Sequence, residues 1–450
     1  MRKFYYFMAV VAVAITSCQQ EVVCLDRPSE VECDVLVENI KTRTYDEALV
    51  IAEDALKLLD GEDTRSAMKR VIKRNEGQVV MRPVTRGSET SEEPIMYVFN
   101  NEDNLGFTIV AADRSVDPVI AVTEYGNYTY GEPTGVEPFD ILMDDVTISL
   151  MSFEDEPYAI IKRVENQRQL RKYGPQTTVQ WGTGTIYGSL YPDGIAYDEA
   201  AAIAQILLAT PYTDTTYTIT NPNDELYGQT MPINKSLMAT HLRHDYHGSP
   251  LNPCTQDIHD QIARLYLEIG YRLSNGTSIS LSNKAASFSF SKVHEVLESF
   301  GADLGPIRIN DDSLHPVATN VQNYDRDVFV FKGVLDQPLS KQSLTWVAVG
   351  YYLYSYDDVE LTLNYLIDPN SPDPYGYTET SRVLRYGSMD YMNWGYDGYS
   401  NGWFKSGCYD MSQRQNDVDH VGLGGILPTL SYRYVNINWF EVNCPFYGQI

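Results

Sequence analysis

A short apolar run near the middle of the chain does most to restrict the possible folds. Residues 198–208 predict a helix on which all but three side chains are apolar. A surface helix would carry polar residues along one side, so this helix must be covered all round. It ends at Thr210-Pro211, because proline cannot continue a helix. The chain therefore needs a core that encloses a helix, with other elements packed around it.

Helices precede strands in most of the chain. Apolar residues recur at helical spacing in four segments, residues 48–59, 139–153, 257–273 and 291–300. From Val328 onward the chain alternates at strand spacing, most clearly in residues 344–354 and 359–367. Helices first and a sheet afterwards predict an α+β fold.

A smaller group of predicted strands lies nearer the N-terminus. Residues 96–99 and 106–113 alternate around a short turn, which predicts a β-hairpin. Residues 118–122 extend this small sheet. We interpret the polar residues 78–94 as a loop and residues 65–73 as a helix.

The N-terminus has the features of an export signal. A short positive region precedes an apolar stretch, residues 4–15, that is too short to span a bilayer. Residues 15–18 (Ile-Thr-Ser-Cys) resemble a bacterial lipobox, which implies cleavage before Cys18 and lipidation of its thiol. The alternative is an ordinary secretory signal with an incidental cysteine. We expect residues 1–18 to be a lipoprotein signal peptide and residues 19–43 a flexible linker. The mature protein is expected in the bacterial cell envelope, lipid-anchored at the outer membrane or periplasmic, with surface display or secretion as alternatives.

Charge and cysteine usage exclude two classes of function. The chain has 34 basic and 61 acidic residues, so it cannot neutralise the phosphates of a nucleic acid. None of its cysteines forms a Cys-x-x-Cys pair, which argues against a zinc site. His241, His244 and His247 recur three apart, and we interpret them as surface histidines of a polar linker rather than metal ligands. The sequence therefore predicts no metal and no cofactor.

Residues 393–404 carry the most specific motif of the chain. They begin Asn393-Trp394-Gly-Tyr-Asp-Gly and continue into an aromatic strand. This segment resembles the C-terminal signature of the streptopain family of papain-like cysteine peptidases. The strand at residues 106–113 (Gly-Phe-Thr-Ile-Val-Ala-Ala-Asp) resembles part of that family's inhibitory propeptide.

The resemblance extends from about Asp46 onward and implies two domains. Residues 44–172 would form a small α+β propeptide-like or inhibitor-like domain. Residues 173–450 would form a papain-like (streptopain-type) α+β domain with a helical half and an antiparallel sheet half.

The resemblance also implies where the catalytic groups of the family should lie. Its oxyanion donor is a Gln in a Trp-x-Gln motif, and this chain has Thr183 there, two residues after Trp181. Its cysteine nucleophile opens the central helix, and this chain has Asp198, which we interpret as a helix cap. Its histidine base corresponds to Leu344, and an aliphatic side chain can neither accept nor donate a proton.

The fourth motif of the family is present. Asn393 and Trp394 correspond to an Asn-Trp pair that lines the site beside the histidine. Without that histidine, we expect the two residues to pack as a structural turn that shapes the cleft wall.

We therefore expect an exported pseudopeptidase that lacks the Cys-His pair. It would bind a peptide or protein in its cleft, or act as an inhibitor or decoy toward a related active peptidase. Self-processing should be impossible, so the two domains should stay joined and the cleft covered.

The alternative is an active cysteine endopeptidase whose catalytic residues are misaligned or relocated. Cys254 and His259 are the candidates, but they lie five apart near one predicted helix and would not face each other. A purely structural surface lipoprotein is the third possibility.

Overall fold

The structure is a computed structural model of the chain, which divides into two units, Met1–Ile40 and Lys41–Ile450. The described residues are 42–60, 70–86, 89–113, 117–151, 158–175, 179–210, 213–242, 255–277, 288–309, 328–335, 343–364, 379–405 and 434–442. The predicted signal peptide with Cys18, nearly all of the predicted linker and every other cysteine lie outside these residues. Within them, no helix is both long and apolar enough to cross a membrane.

The described residues of the N-terminal part of the second unit form two α-helices and five strands, with a short 3-10 helix at Glu102–Asn104. These are α1 (Tyr45–Asp60), β1 (Gln78–Arg86), β2 (Glu89–Asn100), β3 (Phe107–Ala111), β4 (Val119–Thr123), α2 (Glu137–Met151) and β5 (Tyr158–Tyr173). Strands β2, β3 and β4 and helices α1 and α2 agree with the sequence pattern.

Two of the sequence predictions in this part were wrong. Residues 78–94, expected as a loop, form β1 and the first half of β2, which pair as an antiparallel hairpin. The polar composition of these residues suggested a loop. Polar residues can nevertheless form a strand at the edge of a sheet, where one side of the strand is exposed to solvent. Arg82, for example, lies opposite Glu93 and binds its carboxylate at 3.0 Å. The expected helix at residues 65–73 is absent at residues 70–73, where Ile72 forms an isolated β-bridge, and residues 65–69 lie outside the described part.

The C-terminal part places helices before strands, as predicted. The helices are α3 (Thr185–Gly188), α4 (Asp198–Ala209), α5 (Lys235–Met238), α6 (Gln256–Leu273) and α7 (Phe290–Glu298). The strands are β6 (Thr216–Thr218), β7 (Thr230–Pro232), β8 (Arg308–Ile309), β9 (Val328–Leu335), β10 (Ser343–Asn364), β11 (Glu379–Asn393), β12 (Gly402–Lys405) and β13 (Tyr434–Val442). Strand β10 is one strand of 22 residues where the sequence suggested two.

One antiparallel sheet joins the two parts. Its order is β1-β2-β3-β4-β12-β11-β10-β9-β13-β8, with β5 paired to β10. Strands of the two parts meet in two pairings, β5 with β10 and β4 with β12. In the second, Val122 lies opposite Trp403 and Ala121 opposite Phe404. Because the sheet contains strands from both predicted domains, their sheets are continuous, and the boundary at residue 173 stays a prediction.

The sheet carries a core on each face. On one face α1, α4, α6 and α7 cover the strands, and the other face is covered by α2. Neighbouring residues of β12 point to opposite cores: Trp403 packs with the first and Phe404 with the second. Helix α4 is the buried central helix that the sequence predicts. Its first residue, Asp198, and Leu208 are partly exposed, and its other residues are buried. The predicted α+β class is confirmed.

Candidate functional site

Asp198 is the first residue of α4, at the point where the central helix meets the sheet. The N-cap is Tyr197, and no side chain makes a cap hydrogen bond there. The interpretation of Asp198 as a capping side chain was therefore wrong. It lies in the first helical turn but does not satisfy the free backbone N–H groups of the helix.

The surroundings of Asp198 disfavour its charged form. Burial, followed by the nearby carboxylates of Glu199 and Glu137, raises the pKa of Asp198 to about 7, and the cation of Lys332 opposes this shift. Although the residue keeps partial solvent exposure, loss of hydration is the largest cause.

A buried ion pair ties the start of α4 to the sheet. The ammonium of Lys332 in β9 donates to the Glu199 carboxylate at 2.8 Å and also to the backbone carbonyl of Phe288. Both charged side chains are at least nine-tenths buried. Lys332 lies opposite Thr345 of β10. This pair therefore crosses from helix to sheet beside Leu344, the position where the resemblance implies a histidine.

Leu344 itself lies in β10, opposite Gly333. Its side chain is outside the described residues. The structure thus gives the strand and register of the expected base position but not the distance from that side chain to Asp198.

Asn393 and Trp394 form a tightly bonded turn at the end of β11. The Asn393 amide donates to the carbonyl of Val179 at 3.1 Å, and its oxygen accepts from the backbone N–H of Gly395 at 3.2 Å. The Trp394 indole donates to the carbonyl of Ser400 at 3.1 Å. Each contact is to backbone, so the described interactions of both side chains hold the turn in place.

Trp394 also fills the core on the α2 face of the sheet. Its ring contacts Trp346 at a centroid distance of 5.9 Å and Phe404 at 5.4 Å. An indole with these contacts is part of the protein interior.

Thr183 lies in the loop before α3 and is partly exposed. Its carbonyl accepts from the backbone N–H of Ala196 at 2.7 Å. Trp181, two residues earlier, is buried, and its carbonyl accepts from the Gln205 amide at 2.7 Å. The loop is thereby fixed against α4, and Thr183 remains partly exposed.

A buried group of histidines and aromatic rings was not predicted. His241, interpreted as a surface residue, is fully buried. Its Nε2 lies 3.1 Å from the hydroxyl of Tyr187, its carbonyl accepts from the Trp181 indole at 2.6 Å, and its ring contacts His259 at a centroid distance of 5.2 Å. The polar segment around His241 gave no signal of burial, while His244, His247 and Cys254 lie outside the described residues.

Within the described part of the chain, the two histidines belong to no candidate metal centre. Among the described residues, no group of three or more His, Cys, Asp or Glu side chains is arranged to hold a metal ion.

A cavity of about 270 Å³ opens between the N-terminal and C-terminal parts. One wall comes from the loop before α2, and the other from the Thr183 loop and the segment after Trp394. The lining residues are Thr134, Gly135, Val136, Thr183, Gly184, Gly395, Tyr396, Asp397 and Tyr399. The cavity therefore lies between Thr183, the position expected for the oxyanion donor, and the segment that would cover the cleft. We call it the composite cavity.

Further contacts hold the N-terminal part in this place. The hydroxyl of Tyr391 donates to Glu124 at 2.6 Å, and Lys405 forms a buried ion pair with Asp117. Phe139 of α2 packs against Phe404 at a centroid distance of 6.2 Å. Together with the β4–β12 pairing, these contacts join the N-terminal part to β11 and β12 on both faces of the sheet.

One comparison with family models matches the N-terminal part of the chain. A family model described as Spi protease inhibitor matches residues 38–147, which include α1, β1–β4 and most of α2. No curated protein matches the chain.

Two solved structures from Prevotella intermedia are similar to the chain. A prointerpain A fragment is 14% identical and has a TM-score of 0.42, with 81% of this chain and 98% of that chain covered. The active wild-type interpain A cysteine protease is 14% identical and has a TM-score of 0.34, with 60% of this chain and 95% of that chain covered.

Proposed function

We propose that this chain is a pseudopeptidase: a peptidase-like protein that binds a peptide or protein but does not cleave it. The observation that carries the proposal is the carboxyl group of Asp198 at the first position of the buried helix. In the streptopain-like arrangement this position requires a thiolate, which is a far better nucleophile for acyl transfer. A carboxyl group whose pKa is raised to about 7 is partly protonated at neutral pH, which weakens it further as a nucleophile.

The neighbouring groups support the same proposal. A thiolate–imidazolium pair needs a base facing the start of the helix. In this chain the described charged contact from sheet to helix is instead the Lys332–Glu199 pair. A buried lysine held by a carboxylate and a backbone carbonyl is a structural link rather than a proton acceptor.

Binding by the intact chain is favoured over inhibition of a separate peptidase. The inhibitor-like part uses β4 to pair with β12 of its own chain, and Glu124 and Asp117 bind Tyr391 and Lys405. Inhibition in trans would require these contacts to break first. We therefore propose that the N-terminal part is a permanent component of the protein.

We further propose that the protein is exported and lipid-anchored through Cys18. Metabolic labelling with a fatty-acid analogue tests this proposal in the parent and in Cys18→Ala. Labelling of the parent alone is expected, and equal labelling of both would contradict it.

Casein digestion and a thiol-reactive active-site probe test the absence of catalysis. We expect no casein cleavage. Any labelling of thiols should not require the folded protein, and unfolding should change it only by making the thiols more accessible. Cleavage that disappears in Cys254→Ala, Cys408→Ala or Cys444→Ala, with probe labelling of the same residue only in folded protein, would instead establish an active cysteine peptidase.

A further inference from the structure

The composite cavity differs from an open peptidase cleft because both parts of the chain build it. Thr134, Gly135 and Val136 come from the inhibitor-like part, and the remaining lining residues come from the C-terminal part. If the N-terminal part only filled the cleft, no cavity would remain beside the Thr183 loop. The inhibitor-like part, which would cover the cleft, therefore also supplies one wall of the composite cavity.

Glycines keep this cavity open. A Cβ atom added at Gly135 or Gly184 would meet no atom within 4 Å, so open space lies where each side chain would start. A glycine wall lets the main chain of a ligand approach closely. The volume of about 270 Å³ is smaller than the roughly 300–1,000 Å³ of pockets that take drug-sized ligands. It suits one side chain with its adjoining backbone.

The charge around the cavity is negative. Asp397 is part of the lining. Glu137, which follows the lining residue Val136 in the sequence, has an exposed side chain. The pKa of the Tyr396 hydroxyl is raised by burial and then by the carboxylates of Asp198, Glu137 and Asp140, which places those groups near its ring. None of the lining residues in this described part of the chain is Lys, Arg or His.

Two tyrosines add a surface that favours cations. Tyr396 lines the cavity, and the exposed Tyr399 packs against Tyr125 at a centroid distance of 4.7 Å. The faces of aromatic rings attract ammonium and guanidinium groups. Carboxylates and aromatic faces in a small, glycine-walled space select a positively charged side chain on an extended backbone.

We propose that the composite cavity binds an extended peptide through one Lys or Arg side chain, and that the site exists only while the inhibitor-like part is in place. The proposal rests on the proposed non-catalytic binding function and specifies its ligand class. It gives the retained N-terminal part a role in recognition beyond covering the cleft.

Matched fluorescent peptides test the ligand class with the full mature protein. The peptides have a central Arg, norleucine or Glu between identical Gly and Ala residues, and binding is measured by fluorescence anisotropy. The Arg peptide should bind at least about tenfold more tightly than the Glu peptide, and added salt should reduce the difference. Equal binding of the Arg and Glu peptides, or binding of neither, overturns the proposal.

Two pairs of variants test the location. Gly184→Phe adds a ring to the open C-terminal wall from a backbone with negative φ, and Leu190→Phe places the same aromatic side chain at an exposed position nearby. Gly135→Asn narrows the N-terminal wall, and Gly131→Asn is its control, since both glycines have φ near +85° (+83° and +86°) with open space around them. Asn is one of the residues that tolerate this conformation.

Gly184→Phe and Gly135→Asn should each weaken binding of the Arg peptide at least about fivefold, roughly 1 kcal/mol, and the two controls should bind like the parent. Loss with Gly184→Phe alone would overturn the claim that the inhibitor-like part forms the site. Mass spectrometry of the bound peptide separates this proposal from the proposed function. Hydrolysis of the peptide refutes the proposed function, whereas an uncleaved peptide without charge preference refutes only this inference.

Discussion

Asp198 is the residue on which the proposed absence of catalysis depends. The structure confirms the predicted central helix that begins at this residue and adds the surroundings of its carboxyl group. Burial and two neighbouring carboxylates make the charged form costly. A stability change with pH must follow, because the folded chain holds a proton on this group that the unfolded chain releases.

The first prediction concerns Asp198→Asn. The pKa of Asp198 is raised from 3.8 to about 7, so the folded chain binds more protons than the unfolded chain between these pH values. The contribution of Asp198 to the free energy of unfolding therefore falls as pH rises through this window. Asp198→Asn should be more stable than the parent above pH 7, and its advantage should disappear toward pH 4.

Urea unfolding at several pH values measures this difference. Asp257→Asn is the matched control, since Asp257 is an exposed acidic residue in the first turn of α6. The difference between Asp257→Asn and the parent should change much less over the same window. A pH-independent difference for Asp198→Asn would show that the Asp198 carboxyl titrates as an ordinary surface group.

The second prediction concerns the Lys332–Glu199 ion pair. Lys332→Met leaves the Glu199 carboxylate buried without its cation, which should cost about 3–5 kcal/mol of unfolding free energy. The double variant Lys332→Met/Glu199→Gln removes both charges and should recover much of that loss. Denaturant unfolding of the parent, both single variants and the double variant gives the coupling energy, and strictly additive effects would contradict the proposed link.

The sequence indicated the position of Asp198 but not the ion pair beside it. Glu199 and Lys332 lie 133 positions apart, and nothing local in either segment indicates a pairing. His241 was missed for the same reason, because it is the tertiary contact with Tyr187 and His259 that buries it. Motifs locate single positions, whereas the charge and burial of a position depend on distant segments.

At the scale of elements, the β4–β12 pairing is the decisive contact. The sequence predicted β4 within a small separate sheet, and the helical and strand periodicities were correct for most elements. Periodicity reports which face of a strand is buried but not which strand lies beside it. Sequence patterns therefore could not predict that Val122 lies opposite Trp403. The polar hairpin β1–β2 was missed because a solvated edge lacks the apolar alternation that indicates a strand.

The third prediction concerns the exchange of backbone amides across this pairing. Ala121→Pro removes an N–H from β4 and distorts the ladder opposite Phe404. Hydrogen–deuterium exchange should become faster in residues 402–405 of β12 as well as in β4. Val84→Pro in β1 is the control, since β1 pairs only with β2 among the described strands and β12 should be unaffected by it. Unchanged exchange of β12 in Ala121→Pro would show that the two strands do not pair in solution.

At the scale of the whole molecule, the second unit combines an inhibitor-like part with a C-terminal part that we propose to be peptidase-like. The family match at residues 38–147 supports the first, and the shared sheet and the buried Lys405–Asp117 pair hold the two together. In an active peptidase with an inhibitory N-terminal part, removal of that part exposes the cleft. Here the proposed loss of catalysis leaves the chain without a means of removing it.

The intact mass of the purified mature protein during prolonged incubation tests this account most directly. A single unchanged mass is predicted over the whole incubation, in the presence or absence of a reducing agent. Cleavage near Tyr173 that stops when a thiol-blocking reagent is added would contradict it, because the protein would then have processed itself with a cysteine.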